Sequence, residues 1–205
     1  MMPLGFALIP DANGTRYVCS LNKKISERYP SEFVLREKGN LLPHVSFFQG
    51  IFHESSLDEI YEQTDKIRRK WSTARYIKTR GIDIWAEKIF FLDLDKQALY
   101  GMHKDIFYAM NHLRNASKGS ADPQNFTGIS KEEENSFKTY GFPFALEAFR
   151  PHFTLGRSDN PDGKEKDFAK HLQDDMSEGI SFNRLVVFNV GKYGSLEGIK
   201  KEFAL

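Results

Sequence analysis

The sequence has little cysteine, no excess of charge of either sign and no long apolar run. Cys19 is the single cysteine among 205 residues, which excludes an internal disulfide and predicts a reducing, cytoplasmic setting. Lysine and arginine total 29 against 28 acidic residues, so the protein does not coat nucleic acid through bulk positive charge. The apolar stretch 4–10 is too short to cross a membrane or to form a signal peptide core. We therefore expect no membrane partner, and a local site for any anionic ligand.

The composition that remains is that of an ordinary folded protein. Hydrophobic residues make up 40% and charged residues 28%, values that exclude disorder along the whole chain. A chain of 205 residues can bury a substantial core. We expect a single bilobal domain over residues 1–205, with a polar insertion or loop at about 115–140. Ser130 and Glu133 can cap one short helix inside that segment.

Hydrophobic periodicity predicts an alternation of strands and helices. Apolar residues at three- and four-residue spacing indicate helices, whereas period-two runs between turn residues indicate strands. The runs 75–85 and 88–94 are so close that a hairpin is the simplest connection. The remaining predicted strands are 4–9, 44–52, 149–157, 181–190 and 200–203, and the predicted helices begin near Thr15, at Ser56 with a capping box to Glu59, near Leu99, and after Pro161. This order predicts an α+β protein with at least partly antiparallel sheets.

One short phrase occurs twice, about half the chain apart. Pro43-His44-Val45-Ser46-Phe47 and Pro151-His152-Phe153-Thr154-Leu155 share the pattern proline, histidine, apolar, hydroxyl, apolar. Because successive side chains of a strand point to opposite faces, each phrase places an imidazole and a hydroxyl side by side. The apolar residues of the phrase then anchor the strand in a core.

Two such strands, if brought together, could provide general acid and general base catalysis on opposite sides of a scissile bond to a phosphoryl group. Histidine gives and takes protons near neutrality, so His44 and His152 could act as general base and general acid. The hydroxyls of Ser46 and Thr154 could donate hydrogen bonds to phosphoryl oxygens. A single histidine on a half-buried strand is more often structural, and it is the repetition that favours a function.

Other chemistries explain the pattern less well. A zinc site needs three or four converging ligands at a spacing that the sequence lacks, so we expect no metal and no cofactor. A serine hydrolase of the Gly-x-Ser-x-Gly type is not indicated, because that motif does not occur. Arg157 could neutralise a phosphate or be a solvated charge, and Tyr193 could stack on a base or pack at a sheet edge.

The two phrases and their flanks resemble the paired motifs of the two-histidine phosphoesterase superfamily. That group includes the 2′-5′ RNA ligase-like proteins and the RNA 2′,3′-cyclic phosphodiesterases. In the second motif, the preceding Arg150-Pro151 and the trailing Arg157 also match, and the segment 182–188 with Lys192-Tyr193 resembles the C-terminal hairpin of the superfamily. The resemblance implies a bilobal fold of two antiparallel sheets with outer helices, and a central cleft that carries both His-x-Ser/Thr pairs.

The resemblance also implies metal-independent phosphodiester chemistry. Our leading hypothesis is a phosphodiesterase that hydrolyses a 2′,3′-cyclic phosphate or a 2′-5′ linkage at a nucleotide or RNA terminus. We expect a monomer, since nothing in the sequence requires a second copy. His44 and His152 are the expected catalytic residues, in an order that the sequence does not decide. Two alternatives are a module that binds a nucleotide or RNA end without turnover, and an RNA ligase that runs the reverse reaction.

Overall fold

The computed structural model describes residues 1–71, 75–86, 88–116 and 129–205, which form an α+β arrangement. The strands are β1 (Met2–Pro10), β2 (Val45–Phe52), β3 (Arg75–Trp85), β4 (Ile89–Leu94), β5 (His152–Arg157), β6 (Gly179–Val190) and β7 (Leu196–Ala204). The helices are α1 (Ala12–Arg28), α2 (Leu57–Lys70), α3 (Lys96–Asn111), α4 (Lys131–Tyr140) and α5 (Glu165–Leu172). The predicted α+β class with antiparallel strands is confirmed.

The strands pair in the order β2-β1-β6-β3-β4-β5, with β7 on β6, and every pair is antiparallel. Strand β3 belongs to both halves of this path. Its first residues pair with β6, whereas the stretch from Thr79 to Trp85 pairs with β4. The two predicted sheets are therefore joined through one long strand.

The two ends of the pairing path come together in space. Strands β2 and β5 are the terminal strands of the order and nevertheless contact each other. Helix α3 packs against β2 and helix α1 against β5, so each terminal strand is backed by one helix. These are the strands of the two repeated phrases, and the fold therefore places the phrases next to one another.

The helices form where apolar stripes predict them, and α1, α3 and α4 each begin at a capping side chain. Val18, Leu21 and Ile25 are buried on one face of α1, and the Asp11 carboxylate accepts a hydrogen bond from the Gly14 amide at 2.7 Å. Each such cap satisfies one of the backbone amides that a helix start leaves unpaired. None of the helices in the described ranges is both long and apolar enough to cross a membrane.

The polar segment predicted for about 115–140 is partly helical. Its last ten residues form α4, with the expected capping box between Ser130 and Glu133. Gly141 ends this helix in the left-handed conformation at φ 67°, where glycine carries no steric penalty. Residues 117–128 of the segment lie outside the described residues.

Several predicted boundaries were wrong, and α1 begins at Ala12 instead of near Thr15. The Ser56 side chain makes no capping bond, because the 3₁₀ turn Glu54–Ser56 precedes α2 and places Ser56 in the helical region. Strand β5 begins at His152 rather than at 149, since a second 3₁₀ turn, Leu146–Ala148, occupies the approach to it. The last strand begins at Leu196, four residues before the predicted start at 200.

Candidate active site

Both phrases contain the same backbone irregularity. In β2, Ser46 is opposite Ala7 and Phe48 is opposite Phe6, which leaves Phe47 as an extra residue. In β5, Thr154 is opposite Phe91 and Gly156 is opposite Phe90, which leaves Leu155 as the extra residue. Each bulge therefore lies three residues after its histidine.

A bulge reverses the alternation of side chains along a strand. The fifth residue after each histidine therefore returns to the face of the imidazole. That residue is Gln49 in the first phrase and Arg157 in the second, and both line the cavities described below. Strict alternation predicts Gln49 on the opposite face, so Gln49 is not among the predicted site residues. The available signal was the pair of consecutive apolar residues Phe47 and Phe48, which breaks the period of two.

The two phrases face one cavity. His44 and Ser46 line it from the first strand, and His152 and Thr154 line it from the second. Its empty space is about 610 Å³, which includes the solvent at its open mouth. The other lining residues are Phe33, Leu35, Gln49, Phe142, Phe144, Tyr193, Gly194 and Ser195.

Each catalytic candidate imidazole is anchored through the same nitrogen. His44 Nδ1 lies 2.9 Å from the carbonyl oxygen of Leu42, and His152 Nδ1 lies 2.8 Å from that of Arg150. A carbonyl only accepts, so Nδ1 carries a proton in both rings. Nε2 is then the nitrogen that can exchange protons with a ligand.

Apolar surroundings hold both rings and change their protonation. The His44 ring lies 5.2 Å from that of Phe188, and His152 packs against Phe144 at 5.2 Å. Burial lowers the pKa of His44, which the carbonyls of Leu42 and Gly194 partly oppose and a charge on His152 reinforces. Burial likewise lowers the pKa of His152, and the Arg150 carbonyl opposes this change. Both imidazoles are therefore biased toward the neutral form.

A glycine permits the packing around His44. The ring of Phe188 crosses β1 so closely that a Cβ on Gly5 would overlap its Cζ. Any larger residue at this position would have to displace Phe188, whose ring contacts the imidazole. The glycine that interrupts the first predicted strand therefore has a role in placing His44.

Arg150 supports the second phrase from outside the cavity. Its guanidinium binds Asp93 through two hydrogen bonds, Nε to Oδ1 at 3.1 Å and Nη2 to Oδ2 at 3.0 Å. Asp93 is opposite His152 in the ladder between β4 and β5. This ion pair fixes the residue whose carbonyl anchors the imidazole, since a bidentate pair restrains the arginine side chain.

A third histidine, His103 of α3, connects the first phrase to the 3₁₀ turn that precedes the second phrase. Its side chain is fully buried, with Nδ1 2.9 Å from the carbonyl oxygen of Phe47 and Nε2 2.8 Å from the amide nitrogen of Leu146. The ring is therefore neutral, donating at Nδ1 and accepting at Nε2. Burial lowers the pKa of His103 to about 4.

A second cavity adjoins the first on the side of His152. It has about 580 Å³ of empty space including its mouth and shares His152, Thr154, Phe33, Phe144 and Tyr193 with the first. Trp85, Ile89 and Arg157 complete its wall. Four aromatic rings thus surround a space that begins next to the second imidazole.

Arg157 and Tyr193 contact each other at this wall. The guanidinium carbon of Arg157 lies 4.7 Å from the centroid of the Tyr193 ring, and Arg157 Nε donates to Asp159 Oδ1 at 2.7 Å. Tyr193 has φ 61° in the turn between β6 and β7, a strained backbone conformation of the kind found at functional sites. Among the described residues, no three His, Cys, Asp or Glu side chains are grouped to hold a metal ion.

Comparison with known proteins shows the fold. No family model and no curated protein matches the sequence. The crystal structure of TT0787 of Thermus thermophilus matches all of this chain and 98% of its own, with a TM-score of 0.60 and 11% identity. A crystal structure described as a phosphoesterase matches all of this chain and 99% of its own, with a TM-score of 0.53 and 10% identity.

Proposed function

We propose that the protein is a metal-independent phosphodiesterase that hydrolyses a 2′,3′-cyclic phosphate or a 2′-5′ linkage at a nucleotide or RNA terminus. The observation that carries the proposal is that His44 and His152, anchored alike through Nδ1, line one cavity together with Ser46 and Thr154. The shared fold with a protein described as a phosphoesterase supports it.

The reaction needs one neutral and one protonated imidazole. The neutral ring takes a proton from water or from a ribose hydroxyl, whose oxygen forms the new bond to phosphorus. The protonated ring gives its proton to the leaving oxygen as the old bond to phosphorus breaks. The anchoring of the two rings is so similar that either order fits it, and the direction in which the substrate binds decides the roles.

The other cavity residues hold the phosphoryl group and the nucleoside. The hydroxyls of Ser46 and Thr154 donate to the non-bridging oxygens, where negative charge is present throughout the reaction. Arg157 supplies a positive charge beside Thr154. The aromatic second cavity suits a nucleobase, which stacks on Tyr193 or on a neighbouring ring.

A substrate panel tests this function. The protein is incubated, with a chelator present, with nucleoside 2′,3′-cyclic phosphates, 2′-5′ oligoadenylate and RNA that ends in a cyclic phosphate. We expect cleavage of at least one class, with a rate that the chelator leaves unchanged. Retention of a ligand without product would identify a binding module, and a longer RNA product would identify end-joining. Loss of cleavage with the chelator, restored by a divalent cation, would contradict the metal-independent mechanism.

A further inference from the structure

Gln49 lies buried between two parts of the candidate site. Only 5% of its surface is exposed, although it is a polar residue on a strand. Its Nε2 lies 3.3 Å from Ser46 Oγ and 3.2 Å from the carbonyl oxygen of Gly194. An amide nitrogen has two hydrogens and no free lone pair, so it donates in both contacts.

The contact with Ser46 determines where the serine proton points. A hydroxyl has one hydrogen and two acceptor sites. Because Ser46 Oγ accepts from Gln49, its own hydrogen is directed away from Gln49 and is available to a group in the cavity. The amide thus holds Ser46 ready to donate to an anionic ligand, and a donor oriented in advance needs no reorganisation during the reaction.

The contact with Gly194 determines which way the amide faces. A carbonyl oxygen accepts but does not donate, so it selects the NH₂ group of Gln49 over its oxygen. The turn is close to the amide, since a Cβ on Gly194 would lie 3.2 Å from Gln49 Nε2. Gly194 therefore ensures that Gln49 presents a donor to Ser46.

The second phrase has no equivalent of this arrangement. Arg157 occupies the matching place after the bulge, but its Nε donates to Asp159 and its guanidinium lies over Tyr193. The two phrases thus share a backbone and differ in the fifth residue after the histidine. In the first phrase the neutral amide of Gln49 donates to the Ser46 hydroxyl. In the second phrase the guanidinium of Arg157 lines the aromatic second cavity.

We propose that Gln49 is a positioning residue that fixes the Ser46 hydroxyl as a hydrogen-bond donor to the phosphoryl group. This inference rests on the proposed phosphodiesterase function. Because Gln49 acts through Ser46, replacing Gln49 should lower kcat only while Ser46 is present.

A double-mutant cycle on kcat tests whether the effect of Gln49 depends on Ser46. Gln49→Met keeps the length of the side chain and removes both donors, and we expect it to lower kcat about tenfold, the size of one lost oriented hydrogen bond. In the Ser46→Ala background the same substitution should change kcat less than about twofold. Gln97→Met, at an exposed position of α3, is the matched control and should leave kcat unchanged.

Gln49→Glu extends the test and also serves if Gln49→Met does not fold. Its carboxylate has the shape of the amide but only accepts, so Ser46 must donate to it instead of to the ligand. We expect a loss of kcat at least as large as that of the methionine variant. The ratio of wild-type to variant kcat should fall as the pH is lowered, because a protonated carboxyl can again donate to Ser46. Gln49→Met does not titrate, so its ratio should stay constant over the same pH range.

The outcomes separate this inference from the proposed function. Equal losses of kcat for the Gln49 substitutions with and without Ser46, or no recovery of Gln49→Glu at acid pH, would overturn the role of Gln49 alone. A wild-type protein that cleaves no phosphodiester, or a His44→Ala variant of full activity, would overturn the proposed function and this inference with it.

Discussion

His44 and His152 are held by the same bond: in each ring, Nδ1 donates to the carbonyl oxygen of the residue two positions earlier, at 2.9 and 2.8 Å. The bond fixes the orientation of the ring and its tautomer. It also commits both histidines to proton exchange through Nε2. An acid and a base anchored in this way must differ in their state of protonation, which makes the activity depend on pH.

The first prediction concerns that dependence. Burial lowers the pKa of both His44 and His152 below the ordinary 6.5, so the form with one proton on the pair is most abundant on the acid side of about 6.5. We expect kcat/KM, which reports the free protein, to follow a bell with its maximum there. A bound phosphodiester anion stabilises the protonated imidazole, so the maximum of kcat should lie at higher pH.

This prediction is checked by measuring kcat/KM and kcat from pH 5 to pH 9 in buffers of constant ionic strength, which is roughly the range in which histidines titrate. A maximum of kcat/KM above about 7.5 would contradict it, because the bell peaks at the mean of the two pKa values and that mean would then be raised instead of lowered.

The second prediction concerns the aromatic cavity. If a base stacks on Tyr193, Tyr193→Ala should raise KM for a nucleoside 2′,3′-cyclic phosphate about tenfold, within the range measured for base stacking. Tyr193→Phe keeps the ring and should have little effect. Both variants keep a non-glycine residue at φ 61°, so backbone strain does not distinguish them.

A base-free cyclic phosphodiester such as ribose 2′,3′-cyclic phosphate is the control substrate. Its KM should be the same for Tyr193→Ala and Tyr193→Phe. An equal rise of KM for both substrates in Tyr193→Ala would show that the ring supports the site without contacting a base.

The third prediction concerns acid stability. The pKa of His103 is lowered from 6.5 to about 4 in the folded protein, so below pH 6.5 the unfolded chain binds a proton that the folded chain does not. The stabilisation that this histidine provides is complete above the unfolded pKa and is lost as the pH falls toward 4. At about 1.4 kcal/mol for each pKa unit, the loss is about 3 kcal/mol.

The comparison is made with His103→Gln, which does not titrate but can still donate and accept. Urea unfolding from pH 7.5 to pH 4 should show wild-type stability falling toward that of the variant by about 3 kcal/mol, since other acid-sensitive groups affect both proteins alike. Two parallel stability curves would rule out His103 as the titrating group.

Local patterns predicted most of the elements and both histidine–hydroxyl pairs of the candidate site. The stripes of α1 and the alternation of Val45 and Ser46 follow from short-range geometry, so they can be read along the chain. The placement of Ser46 beside His44 in the cavity follows in the same way. What such patterns cannot show is which strands meet, because β2 and β5 contact each other only after the whole sheet has formed.

The exact positions of the bulges could not be assigned for a related reason, although Phe47 and Phe48 interrupt the alternation. An extra residue in a strand is defined by the register of its partner, so Phe47 and Leu155 become irregular only against β1 and β4. The reversal of faces that follows brings Gln49 into the cavity and leaves Arg157 beside Tyr193. The same dependence on neighbours explains the capping box wrongly predicted at Ser56, because the preceding 3₁₀ turn places the backbone of Ser56 in the helical region.

The most direct test of the account is the turnover of His44→Ala and His152→Ala on the best substrate of the panel. Loss of a general acid or base costs roughly a hundredfold or more, so each variant should fall at least that far below wild type while it retains the wild-type circular dichroism spectrum. His171→Ala, at an exposed position of α5, should keep full activity. Near-wild-type hydrolysis of every cleaved substrate by either folded variant would contradict catalysis by this pair of histidines.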